Sequence, residues 1–270
     1  MPEGHKTHRI AIDHTAWLAG SQLRITSPQG RFRGDARKVT GTVLDRVEAV
    51  GKHLFYHFDN DRIVQVHLGR YGSFTRLDSP PPRPVGQVRM RIMHPDLTLD
   101  LRGPTRCRVI DPELRSNIVD SLGPDPLASG APAMARRKRT VRRSFAESSK
   151  PIAALLLDQS IIAGVGNIFR AEILFEAELD PYLSGDQIDD EQFNRLWKVL
   201  LRQMRAGLKY GKIVTVTRRE AGRNLADVNR YDRFRIYGHD QCPRCGGSIK
   251  SPEIANRKHY YCPHCQPRVQ

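Results

Sequence analysis

Between about residues 23 and 110, apolar and polar side chains alternate with a period of two. In residues 87–92, Val88, Met90 and Ile92 alternate with Gln87, Arg89 and Arg91. In residues 97–101, three leucines alternate with Thr98 and Asp100. Residues 54–58 and 64–68 also read as strands. Alternation with polar partners predicts antiparallel strands, each with one buried face. The prolines Pro80, Pro81, Pro82 and Pro84 punctuate the run as a loop. Ahead of it, residues 7–18 have helical spacing. Ile10, His14 and Trp17 share one face, with Ala11 and Leu18 adjacent, and Gly20 offers a stop. The first part of the chain is therefore predicted to be an antiparallel β-sandwich or barrel with a flanking helix.

The pattern changes at residue 123. Residues 123–150 are rich in Ala, Ser, Pro and cations, with Arg136, Arg137, Lys138, Arg139, Arg142 and Arg143 close together. This composition suggests a linker, either touching phosphates or simply solvated. From Pro151 the period is helical again. Ile152, Leu155, Leu156 and Gln159 follow at helical spacing, and Gly164-Val165-Gly166 interrupts them. A helix resumes over residues 167–175. A further amphipathic helix covers about 189–208, with Phe193, Leu196, Trp197, Leu200 and Met204 on its apolar face. A tight glycine turn before a helix aims backbone N–H groups outward, an arrangement that suits a phosphate.

Composition narrows the class. The 270 residues carry 44 Lys+Arg against 29 Asp+Glu, a net charge of +15, with 39% hydrophobic and 27% charged residues. Such a chain can bury a large core. It lacks the composition of a disordered chain and any apolar run long enough for a transmembrane helix. Residues 1–6 lack the basic-then-apolar pattern of a secretory signal, so a soluble cytoplasmic protein is expected. The excess of cations points to a polyanion, with nucleic acid the leading candidate and a merely basic surface the alternative.

Cys242, Cys245, Cys262 and Cys265 form a C-x2-C-x16-C-x2-C pattern. The spacing is that of a zinc ribbon, in which each tight turn aims two thiolates at one tetrahedral ion. Two disulfides in an exported protein are the alternative. Four thiolates leave no open coordination position, so one structural Zn2+ is expected. Cys107 stands apart and reads as a small buried hydrophobe.

Pro2 follows the initiator Met, and a small second residue permits removal of that Met. The freed secondary amine is a nucleophile. An α-amino group titrates near about 8, far below lysine, and a helix starting nearby would disfavour its ammonium form further. Attack on a sugar C1′ gives an iminium that cannot be neutralised by loss of a nitrogen proton. It is an electron sink for abstraction of a C2′ proton. Glu3 beside it is a candidate acid or base.

Four features occur in order along the chain. They are Pro2-Glu3-Gly4, Val50-Gly51-Lys52-His53-Leu54, the run from Gln159 through Gly164-Val165-Gly166-Asn167 to Glu172, and the terminal zinc ribbon. Together they resemble the formamidopyrimidine-DNA glycosylase / endonuclease VIII family over essentially the whole chain. That resemblance implies an α+β fold. An N-terminal antiparallel β-sandwich with flanking helices would span 1–122, and a basic linker 123–150. A helix–two-turn–helix DNA-binding domain would span 151–232 and a zinc-ribbon hairpin 233–270. It also implies a bifunctional DNA glycosylase/AP lyase of base excision repair, cutting the strand by β,δ-elimination.

The resemblance assigns roles residue by residue. Pro2 matches the nucleophile that forms the Schiff base, and Glu3 the acid/base. Lys52 matches a lysine that holds a phosphate and assists proton transfer. Arg257, five residues before Cys262, matches the zinc-finger arginine, suited to gripping phosphates and stabilising the leaving phosphate. Asn167 matches the phosphate-binding Asn, and Glu172 a nearby position that shapes the site. Base flipping leaves a void that a side chain fills. Arg70 and Tyr71, in residues 67–72, are the wedge candidates. The 8-oxoguanine branch carries Met at the Arg70 position and an Arg-Arg-Phe-Gly wedge in a later loop. Here the comparable stretch, residues 101–106, has no phenylalanine, and His5, Thr7 and His8 look more like the endonuclease VIII side. Oxidised pyrimidines in double-stranded DNA are therefore the expected substrates. An 8-oxoguanine/formamidopyrimidine glycosylase is the alternative, and a non-catalytic zinc-ribbon DNA-binding protein the alternative from another class. The expected setting is a monomer at the bacterial nucleoid, with no membrane partner.

Overall fold

The computed structural model describes residues 2–128, 131–229 and 231–268, and it divides into two units. The first comprises residues 1–3 and 7–121, and the second residues 4–6 and 122–270. The first helix, α1 (Gly4–Leu18), thus gives its opening turn to the second unit and the rest to the first.

In the first unit, β1 (Arg24–Thr26), β5 (Ser73–Asp78), β6 (Val88–Met93) and β7 (Leu97–Arg102) form a sheet in the order β1-β6-β7-β5. A second sheet, in the order β2-β3-β4-β8, is built from β2 (Leu44–Val50), β3 (His53–Phe58), β4 (Ile63–His67) and β8 (Arg106–Ile110). Every pairing in both sheets is antiparallel. The predicted alternation holds: Met90, Ile92, Leu97, Leu99 and Leu101 join Leu54, Tyr56, Val64, Val66, Ile10 and Leu18 in one core. Burial of this apolar set drives assembly of the unit.

Two features depart from simple alternation. In β3, Phe55 is buried as fully as its neighbours because its face of the sheet lies under α3 (Pro112–Asp120), which contributes Leu114 and Ile118 to a small second core. On the far side of β6 and β7, Arg91 and Asp100 are buried as a pair. Arg91 Nε donates to Asp100 Oδ1 at 2.6 Å and Nη2 to Oδ2 at 2.9 Å. The bidentate geometry offsets the desolvation of both charges. A short helix α2 (Arg33–Val39) packs Val39 and Ala36 into the main core.

The second unit is helical. It contains α4 (Ala131–Ala146), α5 (Ile152–Leu155), α6 (Asn167–Glu176), α7 (Asp190–Tyr210) and α8 (Arg218–Ala221), then the small hairpin of β9 (Glu253–Ile254) and β10 (Arg257–Lys258). The sequence suggests a linker over 123–150, whereas most of that stretch is α4. Its Val141 and Phe145 are buried in the helical core, Phe145 edge-on to Phe193 with centroids 5.6 Å apart. The helix shows little apolar character because only a narrow stripe faces inward. α7 starts in a capping box between Asp189 and Gln192 and ends on left-handed Gly211 at φ 65°. α6 is buried at every position from Asn167 to Phe175. No helix among the described residues is long and apolar enough to cross a membrane.

Candidate nucleic-acid site and metal centre

At the amino end, Glu3 is the N-cap of α1 and is 1% exposed, while Pro2 is half-buried. The helix therefore begins two residues after Pro2, and its positive end lies where the sequence places a reactive amine. Met1, whose removal would free that amine, lies outside the described residues. The first turn of α1 is tightly seated within the second unit. Gly4 N donates to Gly164 O at 2.8 Å, and a Cβ on Gly4 would stand 2.8 Å from Gly164 Cα. His5 meets Phe169 edge-on at 5.3 Å. Gly207 of α7 gives it room, since a Cβ there would come within 3.1 Å of His5 and Phe169.

In the first unit, Gly51 and Lys52 form the two-residue loop of the β2–β3 hairpin, with Gly51 at φ 57°. Glycine in the first loop position provides the twist that a tight hairpin needs. Thr7 Oγ1 donates to Gly51 O at 2.6 Å, tying this loop to α1. Lys52 is thus in the loop itself, one residue before the strand.

The register places further groups beside Lys52 that the sequence did not single out. His53 pairs with His67 across β3–β4, and His67 with Arg106 across β4–β8. The two imidazoles lie 5.0 Å apart, and His53 Nδ1 contacts Gln65 Nε2 at 3.1 Å. Burial first, then the charges of His67, Arg106 and Lys52, push His53 down to about 4. Burial, Lys52 and Arg106 lower His67 as well. His67 Nδ1 accepts from Gly69 N at 3.1 Å, which leaves the proton of the neutral ring on Nε2. The row Lys52, His53, His67, Arg106 combines two cations with two neutral imidazoles, a set of donors fit for phosphate oxygens. Each of these residues looks ordinary alone, and only the hairpin register aligns them.

The turn after β4 carries Arg70 and Tyr71. Gly72 N donates to Leu68 O at 2.9 Å, closing the turn. Gly69 is at φ 65°, and a Cβ there would collide with Thr105 Oγ1, while one on Gly72 would lie 2.3 Å from Leu68 O. Both positions require glycine. The braced turn holds Tyr71 77% exposed, with the Arg70 guanidinium 5.4 Å from its ring centre. Cys107 is a strand residue of β8 opposite Val66. Its thiol is pushed up to about 12, chiefly by burial.

In the second unit, the Gly164–Gly166 turn leads into α6 and is braced by Gln159. Its Oε1 accepts from Gly164 N at 3.0 Å and its Nε2 donates to Val165 O at 3.0 Å. Gly164 stands at φ 93°. Asn167, the first residue of α6, directs Nδ2 to Lys258 O at 2.9 Å. Glu172 is fully buried and accepts from Thr215 Oγ1 (2.6 Å), Arg235 N (2.9 Å), Ile236 N (2.9 Å) and Tyr237 N (2.8 Å). The last three are successive backbone donors, so one carboxylate seats both ends of the 216–234 excursion. Arg257 is exposed on β10.

The four cysteine sulfurs lie within 4.8 Å of one another, with Cys242–Cys265 at 3.7 Å and Cys245–Cys262 at 3.5 Å. A disulfide needs about 2.05 Å. Tetrahedral zinc with about 2.3 Å bonds to sulfur needs sulfurs about 3.8 Å apart. The residues fit a structural zinc. Gly246 N donates to Cys242 O and Cys242 N to Gly247 O at 2.9 and 2.8 Å, with Gly246 at φ 73°, which shapes the first knuckle. The second knuckle is tied down by Gln266, whose Nε2 donates to Leu179 O at 2.9 Å.

Comparison with known proteins agrees with this geometry. The formamidopyrimidine-DNA glycosylase N-terminal domain matches residues 1–114, its H2TH domain residues 122–219, and the zinc finger found in FPG and IleRS residues 241–268. The chain is 42% identical over 274 residues to Endonuclease 8 1 of Mycobacterium tuberculosis, covering 98% of this chain and 100% of that one. It is 29% identical to Endonuclease 8 of Salmonella arizonae, over 98% and 100% of the two chains. Its fold matches Lactococcus lactis formamidopyrimidine-DNA glycosylase bound to DNA with an AP site, at TM-score 0.79 and 20% identity over 98% and 100% of the chains. The complex of the same enzyme with oxidised-pyrimidine DNA matches at TM-score 0.80 and 20% identity, over 99% and 100%.

Proposed function

The chain belongs to the formamidopyrimidine-DNA glycosylase / endonuclease VIII family, as a zinc-containing DNA glycosylase of base excision repair, and we propose that it excises oxidised pyrimidines through Pro2. AP lyase activity is typical of the family. The Pro2 amine, once Met1 is removed, attacks C1′ of the extruded nucleotide. The glycosidic bond breaks with its electrons going to the base, which takes up a proton. The amine gives up its proton and the C1′–O4′ bond opens, O4′ taking a proton, and the resulting iminium acidifies the C2′ proton. Removal of that proton expels the 3′ phosphate in β-elimination, and a second elimination expels the 5′ phosphate. Glu3 serves proton transfer at the sugar. Lys52, with His67 and Arg106 in the same row, holds phosphate. Arg257 stabilises the departing phosphate. Asn167 and Glu172 shape the helix–two-turn–helix side of the site. The catalytic division is 1–122, the DNA-binding division 151–232 and the zinc finger 233–270. The enzyme acts as a monomer on double-stranded DNA at the nucleoid of the bacterial cytoplasm.

The observation favouring pyrimidine lesions is the exposed Tyr71 on its two-glycine turn, together with the lack of a phenylalanine in residues 101–106. The test is a panel of duplexes, each holding one thymine glycol, dihydrouracil or 8-oxoguanine, assayed by strand cleavage. Thymine glycol and dihydrouracil duplexes should be cut at least tenfold faster. Preferred cutting of 8-oxoguanine opposite cytosine would assign the chain to the other substrate class. Borohydride should trap the Met-processed protein on abasic-site DNA, and Pro2→Gly should lose most trapping. Unchanged trapping in that variant would remove Pro2 as the nucleophile.

A further inference from the structure

Arg170 has the largest fully buried side chain among the described residues, at 0% exposure, and it has no role in the chemistry above. It stands on α6 one turn after Asn167. Its Nη1 donates to Ile254 O at 3.0 Å, and its Nη2 to Lys258 O at 3.2 Å and Arg257 O at 3.3 Å. Nη2 also donates to Asn167 Oδ1 at 2.6 Å, while Asn167 Nδ2 donates to the same Lys258 carbonyl. One guanidinium therefore holds both strands of the β9–β10 hairpin, including the carbonyl of Arg257 itself.

That hairpin needs an outside hold. It has only two residue pairs, Ile254 with Arg257 and Glu253 with Lys258. An isolated two-stranded hairpin of this size is not stable in water. Its loop, Ala255-Asn256, places both residues at positive φ, 54° and 57°. Asparagine tolerates that region, but alanine is strained there. The zinc thiolate nearest in sequence, Cys262, is five residues beyond Arg257. Zinc fixes the base of the finger and Arg170 fixes its tip. A planar fork with several donors can reach carbonyls on both strands, which a lysine ammonium cannot do with the same geometry.

We propose that Arg170 is a positioning residue that sets the aim of Arg257 at the scissile phosphates by clamping the Ile254, Arg257 and Lys258 carbonyls. This rests on the assignment of Arg257 made above. His259, buried behind the hairpin with its ring stacked on Tyr261 at 14°, is pushed down to about 3 by burial and by Arg170. Its uncharged ring adds no positive charge beside the guanidinium at neutral pH.

The test is a double-mutant cycle in the full-length, zinc-loaded protein, with Arg257→Ala, Arg170→Lys, Arg170→Met and the two double variants. Single-turnover cleavage of an abasic-site duplex gives the rate and the proportion of β- to δ-elimination products, and bound zinc is measured for each variant. Arg170→Lys should slow cleavage about tenfold and shift products toward β-elimination, as Arg257→Ala does, with zinc retained. Added to Arg257→Ala, it should slow cleavage by less than twofold more, because a residue acting through another has nothing further to lose. Multiplying effects, or an unchanged rate and product ratio in Arg170→Lys, would overturn the proposal. If Arg257→Ala itself matches the unmodified enzyme, the assignment of Arg257 fails and this inference with it. If Arg257→Ala is impaired and Arg170→Lys is not, only this inference fails. Should Arg170→Met lose zinc, the charge-retaining Arg170→Lys arm decides the outcome.

Discussion

Gly4→Ala isolates how the amino end is held. The new Cβ would lie 2.8 Å from Gly164 Cα, 3.0 Å from Gly164 O and 3.2 Å from Gly164 C. All three are backbone atoms, so no side chain can swing aside. Ordinary contact begins near 3.4 Å, which requires the two segments to separate by about 0.6 Å. The Gly4 N to Gly164 O bond, now 2.8 Å, would stretch to the limit of hydrogen bonding. Losing it costs about 1 kcal/mol. Overpacking adds about 1–3 kcal/mol, and alanine's better helix propensity returns up to about 1 kcal/mol. The net destabilisation is about 1–3 kcal/mol, which lowers Tm by roughly 2–5 °C for a chain of this size. Catalysis should suffer more than stability. Pro2 and Glu3 directly precede the displaced residue, and a shift approaching 1 Å at a reacting group costs about a hundredfold. Borohydride trapping on an abasic-site duplex, under single-turnover conditions at 20 °C below the variant's own Tm, should fall about tenfold or more. Gly34→Ala is the control, because Gly34 is exposed on α2 with nothing within 4 Å of a new Cβ. Trapping by Gly4→Ala within twofold of the unmodified enzyme would refute the idea that this close approach aligns the nucleophile.

Four further outcomes are expected. Removing zinc with a chelator should abolish excision and release the hairpin, seen as faster hydrogen exchange at residues 253–261, while the β-sheet unit keeps its structure. His53 has a folded pKa of about 4 against 6.5 unfolded, so the unfolded chain binds the extra proton between these values. Its contribution is therefore full above pH 6.5 and lost as pH falls toward 4, about 3 kcal/mol in all, and His53→Gln should flatten thermal stability over that range. On α4, Arg136, Arg139 and Arg143 form an exposed stripe with no ion pair among the described residues, whereas Arg142 is paired with Asp190. Changing the three to Gln should lower the log–log salt slope of duplex binding by up to about 2.7, and an unchanged slope would show that the stripe is simply solvated. Ala255→Gly should relieve the left-handed strain at φ 54° and raise stability by about 1 kcal/mol, measured as Tm.

The fold was most readable where one face of an element meets water. Val88, Met90 and Ile92 alternate cleanly because their partners are solvated or locally paired. The cysteine spacing was readable because tetrahedral geometry restricts it so tightly. α4 was obscured because its inward stripe is little more than Val141 and Phe145 among arginines. β3 was only partly readable, since burial on both faces hides the period of two. The catalytic candidates at Pro2, Lys52 and Arg257 were visible through local motifs. Arg170 was not, because the partners that explain a buried guanidinium are carbonyls some 84 to 88 residues away in sequence. Glu172 was visible as a position but not as a seat for three successive amides, for the same reason. The row of His53, His67 and Arg106 required the strand register.

The sharing of α1 has a consequence for how such chains can be recombined. Its residues 4–6 belong with residues 122–270, although they lie at the opposite end of the gene. A chimaera joined at residue 121 would import a foreign first turn into the helical unit, with the Gly4, His5, Phe169 and Gly207 contacts mismatched. Exchange between relatives should succeed only when the opening codons travel with the 3′ half. The two units are thus distinct in their internal contacts but inherited as one.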